Sequence, residues 1–331
     1  MTTLESTTYT HEADLQRLNA LICKHLESVN PLMSKIVMSL LRTKGKQLRP
    51  LLLIMCAKIF GTVDEKVLSA ATAVELLHNA SLIHDDVVDN SPTRRSRPTV
   101  NAVWDNHVAV LVGDFFTSSA MQAAIATGDI AIIGELCGLG RDLSLGEIDQ
   151  IDNARGHSLD IAGYFRIIDY KTASLFVAAA RMGCLAVGAP REAMDALAQY
   201  ALLFGRCFQL RDDVFDYFSS EHVGKPTGND LREGKVSLPL LLALEKDKEN
   251  GSSAAASDSA EIRALLAKDC LSDEEIARIQ AFARDNGGIE DTYAVMHELR
   301  QKAVAALDAV PAGDIRSQLI DLFDFVIERQ Y

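Results

Sequence analysis

The chain has little positive charge for its size, no C-x-x-C pair, few prolines and a single tryptophan. It carries 33 lysines and arginines against 46 aspartates and glutamates, a formal net charge of -13 over 331 residues. A nucleic-acid binder normally presents a basic face, so that class is set aside. Anionic membrane surfaces should repel such a chain as well. The six cysteines, at 23, 56, 137, 184, 207 and 270, lack the spacing of a zinc site. A chain this long does not need disulfide staples, so reduced thiols in a cytoplasmic protein are expected. The N-terminal MTTLESTTYTHEADLQ has neither a basic start nor an apolar core, so it does not read as a signal peptide. Apolar runs such as Leu51 to Ala57 and Leu238 to Ala243 are too short to span a bilayer, so no transmembrane segment is expected, although a greasy ligand could still bring the chain into transient contact with a membrane. Runs of alternating β-branched residues joined by hairpin turns are also missing.

What remains is helical. Eight prolines divide the sequence into long stretches rich in Ala, Leu, Met, Glu and Gln, with 3.6-residue periodicity. The pattern predicts an all-α protein with helices over 11–29, 32–43, 47–60, 65–90, 100–127, 129–150, 158–169, 171–187, 191–218, 236–247, 259–268, 272–286, 289–308 and 312–329. Three segments interrupt it: a basic loop at 90–99 (NSPTRRSRPT), a Gly- and Lys-rich loop at 219–234, and a low-complexity stretch at 250–259.

One local motif occurs twice. The stretch from Val67 to His84 holds one charged residue, Glu75, and so reads as a helix buried nearly all round. It ends in Asp85, Asp86, Val87, Val88, Asp89, and Asn90-Ser91-Pro92 stops it. A second apolar helix from Pro190 to Phe218 carries Asp212, Asp213, Val214, Phe215, Asp216 in its final turn. Residues i and i+4 share a helix face, so Asp85 aligns with Asp89, and Asp212 with Asp216. Both clusters lie near helix C-termini, where the backbone dipole disfavours anions. Two carboxylates ~4 Å apart repel by roughly 4 kcal/mol at an effective dielectric of about 20. Hard cations relieve that cost, and Mg²⁺ binds through one or two carboxylates together with substrate phosphates and waters. A single D-D-x-x-D reads equally well as a solvated helix end. Two copies, each closing an apolar helix and each followed by a Lys/Arg-rich loop, favour a metal and diphosphate site.

Such a site needs fixed cations. Arg94, Arg95 and Arg97 follow the first motif, Lys225 and Lys235 the second; Lys46 and Arg49 lie in GKQLRP. Lys171-Thr172 is read as the opening of a helix whose backbone N–H groups could hold an anion. Any one of these alone is ordinary surface charge. His78, two turns before Asp85 on the same face, is either a satisfied core histidine or a ligand contact.

GKQLRP (45–50), LLHNASLIHDDVVDNSPTRRSRPTVN (76–101), GDFF (113–116), KTASLF (171–176), FQLRDDVFDY (208–217) and GKPTGNDLREGK (224–235) resemble, in order and spacing, the trans-isoprenyl diphosphate synthase (polyprenyl synthetase) family. The resemblance is strong over roughly 40–245, and most like the long-chain octaprenyl diphosphate synthases. Ser96 departs from a usual Gly, and Arg211 stands where other members vary. The resemblance implies one domain over 1–331, a single bundle of long, mostly antiparallel helices around a deep central cavity, and a homodimer. It implies Mg²⁺ as cofactor, three ions of it with substrate bound, with Asp85 and Asp89 holding metal on one side of an allylic diphosphate and Asp212 on the other. Asp86, Asp213 and Asp216 would act through water or supporting bonds. Arg94, Lys171, Thr172, Gln209, Lys225 and Lys235 would contact the allylic diphosphate; Lys46, Arg49, His78 and Arg95 would bind isopentenyl diphosphate. Among these, Asp85, Asp89, Asp212, Lys171 and Arg94 are the expected catalytic set, and the Phe208 ring is a candidate to stabilise the carbocation. In this family a bulky aromatic four or five residues before the first motif stops chain growth. Those positions are the small Ser81 and Ala80, so a long product is expected, with a tunnel floor between Met121 and Leu139 and a short-chain (farnesyl or geranylgeranyl) synthase as the alternative.

A terpene cyclase, a non-catalytic subunit of a two-component synthase and a di-iron bundle are the rivals. The repeated D-D-x-x-D with Lys46, Arg49 and Arg95 disfavours the first. Retention of all six aspartates disfavours the second. Glu75-x-x-His78 has no second E-x-x-H to complete the third.

Overall fold

The computed structural model describes residues 3–42, 45–94, 97–218, 227–250, 255–268 and 270–329. Arg95, Ser96 and Lys225 lie outside the described residues. The fold is all-α. In chain order the helices are α1 (Thr3–Thr10), α2 (Glu12–His25), α3 (Pro31–Leu41), α4 (Leu48–Phe60), α5 (Glu65–Val88), α6 (Val100–Val103), α7 (Asn106–Ala126), α8 (Ile130–Arg155), α9 (Ile161–Ile168), α10 (Ser174–Ala186), α11 (Arg191–Phe215), α12 (Asn229–Arg232), α13 (Leu238–Asn250), α14 (Ala255–Leu266), α15 (Asp273–Asp285), α16 (Gly288–Ala306) and α17 (Asp314–Glu328). Two compact units are assembled from interleaved stretches: 1–141, 175–201 and 306–322 form one, 142–174, 202–305 and 323–331 the other.

In the first unit α5 is the spine. From Val67 to His78 every residue is buried, and the helix packs along α7, α4 and α2. Asp64 starts it by accepting the Val67 N–H. Its end is equally specific. Asn90 takes a left-handed φ of 49°, which Asn tolerates better than most residues. Ser91 N–H donates to the Asp86 carbonyl at 2.9 Å, and Asn101 Nδ2 donates to the same carbonyl at 3.1 Å, so terminal acceptors of α5 are satisfied. Gly113 of GDFF leaves room for the half-exposed His84 ring, whose Nε2 would stand 2.2 Å from a Cβ there. By length and hydropathy alone α7 is long and apolar enough to cross a membrane, and 44% of that window is buried in the chain.

The second unit has its own core, in which Val214 and Tyr217 meet Leu231, Leu240, Leu244, Ile262, Ile276, Ile279 and Phe282. A capping box at Ser272 and Glu275 starts α15.

Several local expectations are corrected. The predicted 100–127 helix breaks at Trp104, because Asp105 caps α7 through the Val108 N–H. The 90–99 loop contains a two-residue antiparallel pairing of Thr93–Arg94 with Arg97–Pro98. Part of the low-complexity stretch is helical, since α14 begins at Ala255 within an alanine run. The N-terminal α1 was not foreseen. Lys171 and Thr172 do not open a helix: Asp169–Ala173 form a π-helical turn that follows α9 without a break and leads into α10. No Pro or Gly lies there to interrupt the chain, so one extra residue is absorbed instead. The helix-start anion site is therefore withdrawn. All six cysteines are free thiols.

Candidate active site

The two D-D-x-x-D motifs end α5 and α11, as expected, yet their aspartates are held very differently. In the first, Asp86 is buried and receives Arg94 Nε at 2.7 Å. Burial pushes the Asp86 carboxyl above its ordinary value, and the Arg94 guanidinium opposes that rise. Asp85 and Asp89 stand half-buried one turn apart at the helix end. In the second, Asp213 is enclosed. Tyr164 O–H donates to its Oδ2, and Gln209 Nε2 donates to Oδ1 at 2.8 Å. Burial raises its pKa to about 7 against those hydrogen bonds. Asp216 accepts backbone N–H groups of Gly228, Asn229 and Asp230, at 2.8, 3.3 and 3.3 Å, and so fixes the start of α12. Burial raises its pKa and that of Asp230, which has Asp216 and Asp213 as charged neighbours. Asp212 is exposed and pairs with Arg329 Nη2 at 2.8 Å.

Three inner carboxylates are thus committed to the protein: Asp86 to a cation, Asp213 to neutral donors, Asp216 to backbone. Asp85 and Asp89 at the end of α5, and separately Asp212 near the end of α11, offer carboxylate oxygens of the kind Mg²⁺ takes when phosphate and water complete its shell. Among the described residues no group of three acidic, His or Cys side chains is placed to hold a metal ion.

Lys171, Thr172, Gln209 and Lys235 come from three motifs far apart in sequence and line one hollow of about 200 Å³ in the second unit. Its wall also includes Tyr164, Asp213 and Asp230. Lys171 is held by Glu147, and donates to Gln150 Oε1 at 3.2 Å. Gly146 permits this, since a Cβ there would lie 2.8 Å from Tyr170 Cβ and 3.0 Å from the Lys171 backbone N. Arg206 clamps Asp169 through two 2.6 Å bonds and pins the π turn that carries Lys171 to α11. Thr172 Oγ1 donates to Gln209 Oε1 at 2.8 Å, so Thr172, Gln209, Asp213 and Tyr164 form one continuous network. Lys235 Nζ reaches Glu233 at 2.5 Å.

In the first unit Arg49 lies 4.8 Å from the Phe176 ring centroid, tying GKQLRP to KTASLF. Lys46 is exposed ahead of α4, and His78 is buried in α5. Ala80 is 1% exposed, whereas Ser81 is half-buried and donates to the His78 carbonyl at 2.9 Å. Neither Ala80 nor Ser81 lines the apolar hollow of about 340 Å³ found against Asn79, Leu82, Ile83 and Phe116 on α5 and α7. Of the stretch expected to floor the tunnel, Ile132, Leu136 and Leu139 are buried and Met121 is exposed.

Sequence reasoning missed Tyr164, Asp230, Arg211 and Arg329. Tyr164 lies two turns before Lys171, a spacing that in hindsight places it on the same side. Nothing local announces the C-terminal Arg329. The Phe208 ring, offered above to a substrate cation, instead carries the Arg329 guanidinium 4.2 Å from its centroid.

A family model described as polyprenyl synthetase matches residues 30–279. An octaprenyl diphosphate synthase of Haemophilus influenzae is 33% identical over 321 residues, 97% of this chain and 95% of that protein. A heptaprenyl diphosphate synthase component 2 of Geobacillus stearothermophilus is 32% identical, covering 90% of each. Among solved structures, a polyprenyl synthase from Caulobacter crescentus, crystallised with calcium and isoprenyl diphosphate, superposes with a TM-score of 0.89 at 32% identity over 99% of this chain and 98% of that one.

Proposed function

The chain belongs to the polyprenyl synthetase family of prenyltransferases, with its all-α isoprenoid synthase fold, and from that premise we propose that it joins isopentenyl diphosphate head to tail to an allylic diphosphate, Mg²⁺-dependently, giving a long-chain all-trans polyprenyl diphosphate. The observation that carries the assignment of residues is the gathering of Lys171, Thr172, Gln209 and Lys235 around one hollow. A diphosphate there meets two cations and a bonded Thr–Gln pair. Arg94 and Lys225 complete the allylic diphosphate set, and Lys46, Arg49, His78 and Arg95 receive isopentenyl diphosphate. Asp85, Asp89 and Asp212 hold Mg²⁺, which when bound supplies Lewis-acid neutralisation of the leaving diphosphate. The lysines and arginines stabilise the charge that grows on that group as the allylic C–O bond breaks. Lys171 and Lys235 exchange the carboxylates that now hold them, Glu147 and Glu233, for phosphate oxygens, while Arg94 keeps its Nε on Asp86.

The long product is supported by the small side chains of Ala80 and Ser81 and by relatives named as octaprenyl and heptaprenyl synthases. Octaprenyl is the length proposed. The exposed apolar residues Val110, Leu111 and Ile125 on α7 and Ile130 and Ile148 on α8 support a homodimer. A relative named as component 2 favours a second reading, in which the chain works with a partner chain. Incubating the purified chain alone with Mg²⁺, isopentenyl diphosphate and dimethylallyl, geranyl or farnesyl diphosphate, then sizing the products, tests all of this. Long products are expected from the chain alone. Inactivity until a second protein is added supports the partner reading, and turnover without isopentenyl diphosphate contradicts both. Ser81→Phe should shorten the products, and unchanged length contradicts the tunnel. Ser81 is the cleaner position, because Phe at the fully packed Ala80 also costs about 1–3 kcal/mol in overpacking.

A further inference from the structure

Asp212 already holds a cation supplied by this chain. Arg329, one residue past α17, donates Nη2 to Asp212 Oδ1 at 2.8 Å and to the Phe208 carbonyl at 3.1 Å. The Arg329 side chain is 5% exposed and that of Asp212 46%. This terminus does not dangle. Arg211 donates Nε to the Arg329 carbonyl at 3.0 Å and adds a second bond through Nη2. Arg211 is itself buried, bonded to Tyr293 and stacked 4.5 Å from the Phe215 ring centroid. Arg211, at a position of no apparent chemical use, therefore moors Arg329 beside the second aspartate motif.

A guanidinium cannot leave a carboxylate by losing its proton in any ordinary solution. It can only be moved. A divalent ion that binds Asp212 Oδ1 needs the oxygen Arg329 now occupies, and two cations on one oxygen repel. Because Asp212 is half in solvent, the pair is weak enough to be displaced. The Phe208 ring and carbonyl keep the released guanidinium close by. Resting on the reading of Asp212 as a metal ligand, we propose that Arg329 is a positioning residue: the resident counter-cation of Asp212, which a divalent ion displaces on binding. The end of the chain thereby raises the metal concentration needed to load the second motif.

The test is Mn²⁺ binding to the full-length protein saturated with an unreactive allylic thiodiphosphate, followed by the electron paramagnetic resonance of free Mn²⁺. Arg329→Gln, which removes the competing charge, should tighten binding roughly tenfold, about the effect of one pKa-sized interaction. Arg329→Lys should stay near wild type, and Asp212→Asn should weaken the site. Unchanged or weaker binding in Arg329→Gln, with Asp212→Asn weakened, overturns the competition and leaves the metal-ligand reading standing. Binding untouched by Asp212→Asn overturns that reading. Should Arg329→Gln fail to fold, Arg211→Gln loosens the mooring while leaving both charges, and is expected to tighten Mn²⁺ by a few-fold; no change overturns the proposal.

Discussion

The ends of α5 and α11 spell the same motif, D-D-x-x-D, and solve its electrostatic problem in opposite ways. On α5 the inner Asp86 is compensated by a full charge, Arg94, delivered from the following loop. On α11 the inner Asp213 is compensated by neutral donors, Tyr164 and Gln209, inside a buried network, and its pKa rises accordingly. Burial raises both carboxyls: at Asp86 a full cation opposes the rise, whereas at Asp213 burial outweighs two neutral hydrogen-bond donors and carries the pKa to about 7. Identical letters therefore carry different protonation chemistry, and the difference comes from residues 8 positions away in one case and 49 in the other.

Removing the outer acids should erase the contrast. Asp85→Asn and Asp212→Asn are each expected to lower kcat about 10²- to 10³-fold in steady-state assays with little change in melting temperature, as when a single group that stabilises transition-state charge is lost. Loss of stability without loss of turnover contradicts their assignment. The inner acids should separate by stability. Asp213→Asn turns an amide N–H toward one of two donors, which costs about 1–3 kcal/mol in chemical denaturation. Asp86→Asn removes a buried charge together with its half-exposed partner's pairing, and should cost about 0–1 kcal/mol. Equal losses break the distinction drawn here.

The same contrast is testable through pH. The native state keeps the Asp213 proton up to about 7 while the unfolded chain sheds it near the ordinary carboxylate value. The unfolded state then binds fewer protons in that window, so stability of the metal-free protein falls as pH rises from about 4 to 7 and levels off above. The difference between wild type and Asp213→Asn in melting temperature should narrow across that window. Burial lowers the pKa of His11, which acts in the opposite sense, losing stability as pH falls below its ordinary value, but His11 is common to both proteins and cancels. A difference that is flat with pH contradicts the raised Asp213.

Much of this architecture was legible in the sequence because helices announce themselves locally. The 65–90 expectation became Glu65–Val88 and the 191–218 one Arg191–Phe215, since an apolar stripe and its stop residues lie within the element. The aspartates were legible by spacing and the basic loop by composition, whereas the roles of the KTASLF and FQLRDDVFDY residues came from the family resemblance. What escaped was held by distant partners. The π turn at Asp169–Ala173 depends on Arg206, 37 residues on, and Arg329 meets Asp212 across 117 residues. No window of periodicity contains such pairs. Phe208 shows the cost: an aromatic beside an aspartate looks available to substrate until the chain end that covers it is seen.

The most direct test of the division between outer and inner acids is anomalous diffraction from crystals grown with Mn²⁺ and an unreactive allylic thiodiphosphate. Peaks within ligand distance of Asp85, Asp89 and Asp212, with diphosphate against Lys171, Gln209 and Lys235 and Arg329 swung off Asp212, are the expected result. Manganese coordinated by Asp86, Asp213 or Asp216 while the outer carboxylates stay bare contradicts the account.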